Sequence, residues 1–112
     1  MKKIAIPVNE NSILEDHFGH CDYFAITEVD GNKIVSEEIL QAPSHEPGLL
    51  PRWLAEEGTT DVLAAGMGNR AIELFKNQKI NVYVGAPKLK ARDLVLGYLN
   101  NTIEFSGNFC DH

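Results

Sequence analysis

At 112 residues the chain has the length of one domain, spanning residues 1–112, and is long enough to bury a core without disulfide or metal staples. Ten Lys and Arg against 16 Asp and Glu leave a formal charge of −6, which excludes the basic footprint that a nucleic-acid binder needs to neutralise phosphates. With 44% hydrophobic residues and no run long enough for a signal-peptide core or a spanning helix, a globular protein is expected, cytoplasmic and without a membrane partner.

Residues 2–8 (Lys-Lys-Ile-Ala-Ile-Pro-Val) read as a first strand rich in β-branched side chains, with Pro7 near its end because it removes one ladder donor. Residues 9–19 are polar and turn-forming, a loop. Residues 23–29 and 33–40 read as a hairpin closed at Asp30-Gly31-Asn32. The imperfect alternation of the second of these suits an edge strand. A Pro/Gly-punctuated loop, residues 42–48, leads to a helix over 49–57, with Pro51 in its first turn and Gly58 as its stop. Leu50, Trp53 and Leu54 form its core-facing stripe, so Trp53 is expected to pack under the Pro/Gly loop.

From Thr60 the pattern becomes strand, turn, helix, strand, helix. Residues 61–65 form a short apolar strand covered on both faces. Gly66-Met67-Gly68-Asn69 is the turn, and residues 70–77 the helix. Residues 80–84 form the next strand, and 88–99 the last helix, with Ala91, Leu94, Val95, Tyr98 and Leu99 at helical spacing. The remainder, from Ile103, reads as a tail. The order predicts an α/β fold: a three-layer α/β/α arrangement with a five-stranded mixed sheet. Its first three strands should be antiparallel, and the strands at Asp61 and Ile80 parallel to the first. This order resembles that of ribonuclease H-like nucleases, but residues 2–8 carry no carboxylate for the paired-metal phosphoryl chemistry of such enzymes.

The segment Asp16-His17-Phe18-Gly19-His20-Cys21-Asp22 concentrates His17, His20 and Cys21 immediately before a strand. Imidazole and thiolate are the donors that borderline and soft metals prefer, and Gly19 lets the loop turn both rings to one point. His45 in the Pro/Gly loop and the Cys110-Asp111-His112 terminus add three more such donors. Of these six, His20, Cys21, His45, Cys110 and His112 are the candidate metal ligands. Each also has an ordinary explanation, as a solvated histidine, a small buried hydrophobe or a terminal side chain. Both cysteines are expected as thiols in a reducing compartment, and a Cys21–Cys110 bridge stays open. Gly66-Met67-Gly68-Asn69, between strand and helix, is placed to hold an anion by backbone N–H groups and the helix dipole. It lacks both the third glycine of a dinucleotide fingerprint and the Gly-Lys-Ser/Thr of a P-loop.

Asp16-His17-Phe18-Gly19 with Phe24 downstream resembles the D-x-H-F-G region of the dinitrogenase iron–molybdenum cofactor biosynthesis family, which includes NifX, NifY and the C-terminal part of NifB. Asp61-Val62-Leu63-Ala64-Ala65-Gly66-Met67-Gly68-Asn69-Arg70-Ala71 is similar to that family's strand–glycine–helix segment. The resemblance implies a ribonuclease H-like fold used for binding, not catalysis, with His17 and Gly19 as signature positions. It also implies a metal–sulfur cluster, of iron–molybdenum type or a molybdenum–copper sulfide, or a precursor, as ligand, and cofactor-assembly or acceptor proteins as partners. The expected function is that of a carrier or scaffold. A module binding an anionic small molecule or a protein partner without metal is the alternative, and a thiol-dependent enzyme a distant third.

Overall fold

The computed structural model describes residues 1–16, 18, 21–43 and 48–109. Its elements in chain order are β1 (Lys2–Val8), β2 (Tyr23–Asp30), β3 (Lys33–Gln41), α1 (Leu49–Glu56), β4 (Asp61–Leu63), α2 (Asn69–Asn77), β5 (Asn81–Val84), α3 (Ala91–Asn100) and β6 (Gly107–Phe109). All the strands lie in one sheet of order β3-β2-β1-β4-β5-β6. The five expected strands are present, with β1, β2 and β3 antiparallel in turn and β4 and β5 parallel to β1. The addition is β6, drawn from the segment expected as a tail, which pairs antiparallel with β5. Three residues cannot display an alternation. What they gain is the ladder that β5 would otherwise leave open to solvent.

Period-two alternation in β1 sends its side chains to two cores. Ala5 joins the cluster under α1 and α2, which includes Phe24, Leu54, Val62, Ile72 and Phe75. Ile4, Ile6 and Val8 join the cluster under α3, with Leu63, Leu94 and Val95. Helices therefore cover both faces, and β1 is buried along Ile4–Val8 because it is central. Pro7 is tolerated there since β4 pairs with β1 only at Ile4 and Ala5, leaving no ladder at Pro7 on that side. The β2–β3 hairpin closes through Gly31 and Asn32, with Asp30 paired to Lys33 and Gly31 at φ 61, a sign of φ that glycine adopts without strain.

The last helix begins at Ala91, later than expected, because the Leu89 carbonyl is engaged by the Leu14 amide at 3.0 Å and cannot start a helical ladder. Within α3, Gly97 is required by close approach: a Cβ there would overlap the Ile103 side chain. At the sheet end where β4 begins, Asp61 is fully buried. Its carboxylate accepts from Asn81 Nδ2 at 2.8 Å and lies 3.8 Å from Lys2 Nζ, so β1, β4 and β5 are tied by one polar centre. Among the described residues no helix is long and apolar enough to cross a membrane.

Candidate functional site

β1, β3, β4 and β5 run in the same direction, so their carboxyl ends share one edge of the sheet. Val8 and Gln41 both pair with Tyr23, which sets the ends of β1 and β3 level. Four connections therefore rise from that edge, and three of them carry candidate residues: residues 9–22 after β1, 42–48 after β3, and 64–68 after β4. β1 and β4 are parallel neighbours, yet the chain leaving β1 returns through β2 while the chain leaving β4 crosses to α2 and β5. Such a divergence marks a topological switch point, the usual ligand position in open α/β sheets.

The connection after β1 is anchored at its base. Asn9 Oδ1 accepts from the amides of Asn11 and Ile13 at 2.8 and 3.1 Å, a side-chain turn that folds the segment back. Leu14 is buried, its amide bonded to the Leu89 carbonyl, and Glu15 N donates to the Pro7 carbonyl at 3.0 Å. Phe18 then turns inward, its ring edge-on to Phe24 and Phe75 at 5.7 and 5.4 Å between centroids. Cys21 is fully buried in the same cluster, and its thiol donates to the Phe18 carbonyl at 3.2 Å.

Burial pushes the Cys21 thiol up from the ordinary 9.0 to about 12; its backbone hydrogen bond opposes this, and the nearby Glu15 and Asp22 carboxylates add to it. The thiol is thus protonated at neutral pH and plugs the floor beneath the loop. His17, Gly19 and His20 lie outside the described residues.

The glycine turn meets this floor from the other side. Gly66 and Gly68 are exposed, with open space where each Cβ would project. Met67 is half-buried against the cluster that contains Phe18 and Cys21. Gly68 caps α2, and its carbonyl accepts from the Ile72 amide at 3.0 Å. The cap residue Gly68 offers no side-chain bond to the first-turn amides of α2 and no acidic residue stands in that turn, while Asn69 and Arg70 are exposed. The positive end of this helix is therefore not neutralised within its own first turn.

The connection after β3 is tied to the first by the Ala42 amide, which donates to the Asp22 carbonyl at 2.8 Å. His45 within it, like Cys110 and His112, lies outside the described residues. β6 runs from the level of Val84 back to that of Val82, so the described chain leaves the sheet heading away from the three loops. Among the described residues no three His, Cys, Asp or Glu gather to hold a metal. Of the sequence candidates, the structure brings Cys21 and Met67 to one cluster, with Gly66, Gly68 and Asn69 above it.

Two features escaped the sequence reading. Phe18 is the anchor of the His-rich loop, signalled only by being a large aromatic inside a polar run. The Leu14 contact with the β5–α3 connection had no local signal, since its partner lies far along the chain.

The sequence profile described as dinitrogenase iron-molybdenum cofactor matches residues 1–101. An uncharacterized protein of Methanocaldococcus jannaschii is 32% identical over 88 residues, 74% of each chain. The crystal structure of the protein PH0822 superposes with a TM-score of 0.85 at 28% identity, covering 93% of this chain and 96% of that one. The apo form of the orange protein from Desulfovibrio gigas does so with a TM-score of 0.76 at 21% identity over 96% of both chains, a likeness of fold.

Proposed function

This chain belongs to the dinitrogenase iron–molybdenum cofactor family, and we propose that it is a non-catalytic, cytoplasmic carrier or scaffold for a metal–sulfur cluster or its precursor in cofactor biosynthesis. The observation that carries this reading is the shared edge. The loops holding His17, His20 and His45 and the open turn Gly66-Met67-Gly68-Asn69 leave the sheet at the same end. The donor chemistry fits such a cargo: imidazoles from two loops, a half-buried thioether at Met67, and an uncapped helix end suited to a sulfide or oxo face. Cys21, protonated and buried, supports the floor and would ligate only after losing its proton. The raised thiol also argues against a thiol-dependent enzyme, since a nucleophilic cysteine needs a lowered pKa. Cys110 and His112 are proposed as donors that join from the segment after β6, and assembly or acceptor proteins as the source and destination of the cargo.

Anaerobic incubation with iron, sulfide and molybdate, or with copper and tetrathiomolybdate, followed by visible absorption and metal analysis, tests this. Wild type should retain a coloured species, and a His17→Ala, His20→Ala, His45→Ala variant should lose most of it. Equal retention by that variant would refute the reading. The uncapped first turn of α2 favours a second reading, a metal-free anion-binding module. It would lead if sulfate or molybdate alone perturbed Gly68 and Asn69 in both proteins.

A further inference from the structure

The opposite end of the molecule carries a cavity of about 510 Å³ between the C-terminal half of α3 and the β2–β3 turn. That volume falls in the range of small-molecule sites. One wall is aromatic: Tyr83 lies 5.1 Å from Tyr98 and 5.4 Å from Phe105 between ring centroids, and Tyr98 and Phe105 are 6.2 Å apart. All three rings are only half-buried, so each keeps surface toward the opening. At one corner Lys2 Nζ donates to the Tyr98 hydroxyl at 2.9 Å, and that hydroxyl donates to the Tyr83 hydroxyl at 3.4 Å. Lys2 lines the cavity with its side chain 52% exposed, while Asp61 behind it is fully buried and absent from the lining.

We propose that this cavity binds a small aromatic carboxylate. A lysine on an open surface has several free torsions, and fixing it on a ligand costs entropy. Here the buried Asp61 carboxylate and the Tyr98 hydroxyl already hold the ammonium, so much of that cost falls on folding, before any ligand arrives. Asp61 is itself held by Asn81 at 2.8 Å and Thr60 at 3.5 Å, which keeps the anchor from swinging into the cavity. An incoming carboxylate meets a positioned ammonium with a phenol hydroxyl beside it, and charge-assisted bonds of this kind are the strong ones. Its ring lies along the Tyr83–Tyr98–Phe105 wall, where offset or edge contacts between rings are favoured. Ile103 and Asn101 complete the mouth.

The test is an NMR titration of the ¹⁵N-labelled, metal-free protein with benzoate, cyclohexanecarboxylate and benzylamine. Benzoate should shift the amides of Gly31, Asn32, Asn101 and Ile103 saturably. Cyclohexanecarboxylate, lacking a π face, should bind at least threefold more weakly, and benzylamine should not saturate. The double variant Lys2→Met, Asp61→Asn, which leaves no buried charge unpaired, should weaken benzoate at least tenfold. Tyr98→Phe keeps the ring and the fold and should weaken it severalfold, so the proposal stays testable if the double variant does not fold. Absence of saturable benzoate shifts up to ~10 mM, well into the weak-ligand range, would overturn it, as would benzylamine binding as tightly or unchanged benzoate affinity in Tyr98→Phe.

Discussion

Cys21 illustrates how environment overrides residue type. A thiol is a candidate ligand by chemistry, but full burial among Phe18, Phe24 and Phe75 makes the thiolate expensive. The sign of the pH dependence follows. The folded-state value, about 12, lies above the ordinary 9.0, so the protonated thiol contributes its full stability below pH 9. That contribution then falls as pH rises toward 12, by about 1.4 kcal/mol per pH unit. The stability difference between wild type and Cys21→Ala, measured by urea unfolding of the metal-free protein, should therefore shrink between those limits. In a Cys110→Ser background the native protein should also react with iodoacetamide far more slowly at pH 8 than the unfolded chain. Phe18→Ala removes the plug's larger half and should cost ~3 kcal/mol, as for other buried aromatics. A loss under ~1 kcal/mol, the size of a surface change, would show that the loop does not depend on its anchor.

At the scale of elements, what could be read in advance was what is local. The β2–β3 hairpin announces itself through Asp30-Gly31-Asn32, and α2 through Ile72 and Phe75 at helical spacing. β6 was not legible, because three residues have no periodicity and their pairing depends on β5. The late start of α3 was hidden because it is set by Leu14, whose amide takes the Leu89 carbonyl. Trp53, expected as a core residue, is half-buried with its ring tilted 60° to Phe24 at 5.7 Å. Trp53→Ala should accordingly cost ~1.5–3 kcal/mol, below the ~3–5 typical of a fully buried aromatic. Gly97 offers a cleaner check on packing. Gly97→Ala should destabilise by ~1–3 kcal/mol through its clash with Ile103. In an Ile103→Ala background the same change should become neutral or favourable, since alanine exceeds glycine in a helix by ~1 kcal/mol. Simple additivity in thermal unfolding would place Ile103 elsewhere.

For the molecule as a whole, the sheet separates two ends with different chemistry. The carboxyl ends of β1, β3 and β4 present the histidine loops and the open glycine turn, while Lys2, Asp61 and Tyr98 lie toward the other end. The direction of β6 decides how the terminal donors enter. Because it carries the chain from Val84 to Val82, the described chain ends at Phe109 on the side away from the loops. A span of three residues reaches only ~10 Å even when fully extended. The loop histidines should therefore dominate retention of the cargo. Removing residues 110–112 should leave more than half of the reconstituted metal in place, whereas His17→Ala with His20→Ala should remove most of it. Retention should also decline as pH falls through the imidazole range near ~6.5, because a protonated ring cannot coordinate. Metal analysis after desalting at several pH values reads all three effects. Loss of metal on truncation with full retention in the double histidine variant would reverse the assignment and make the terminal Cys110 and His112 the principal ligands.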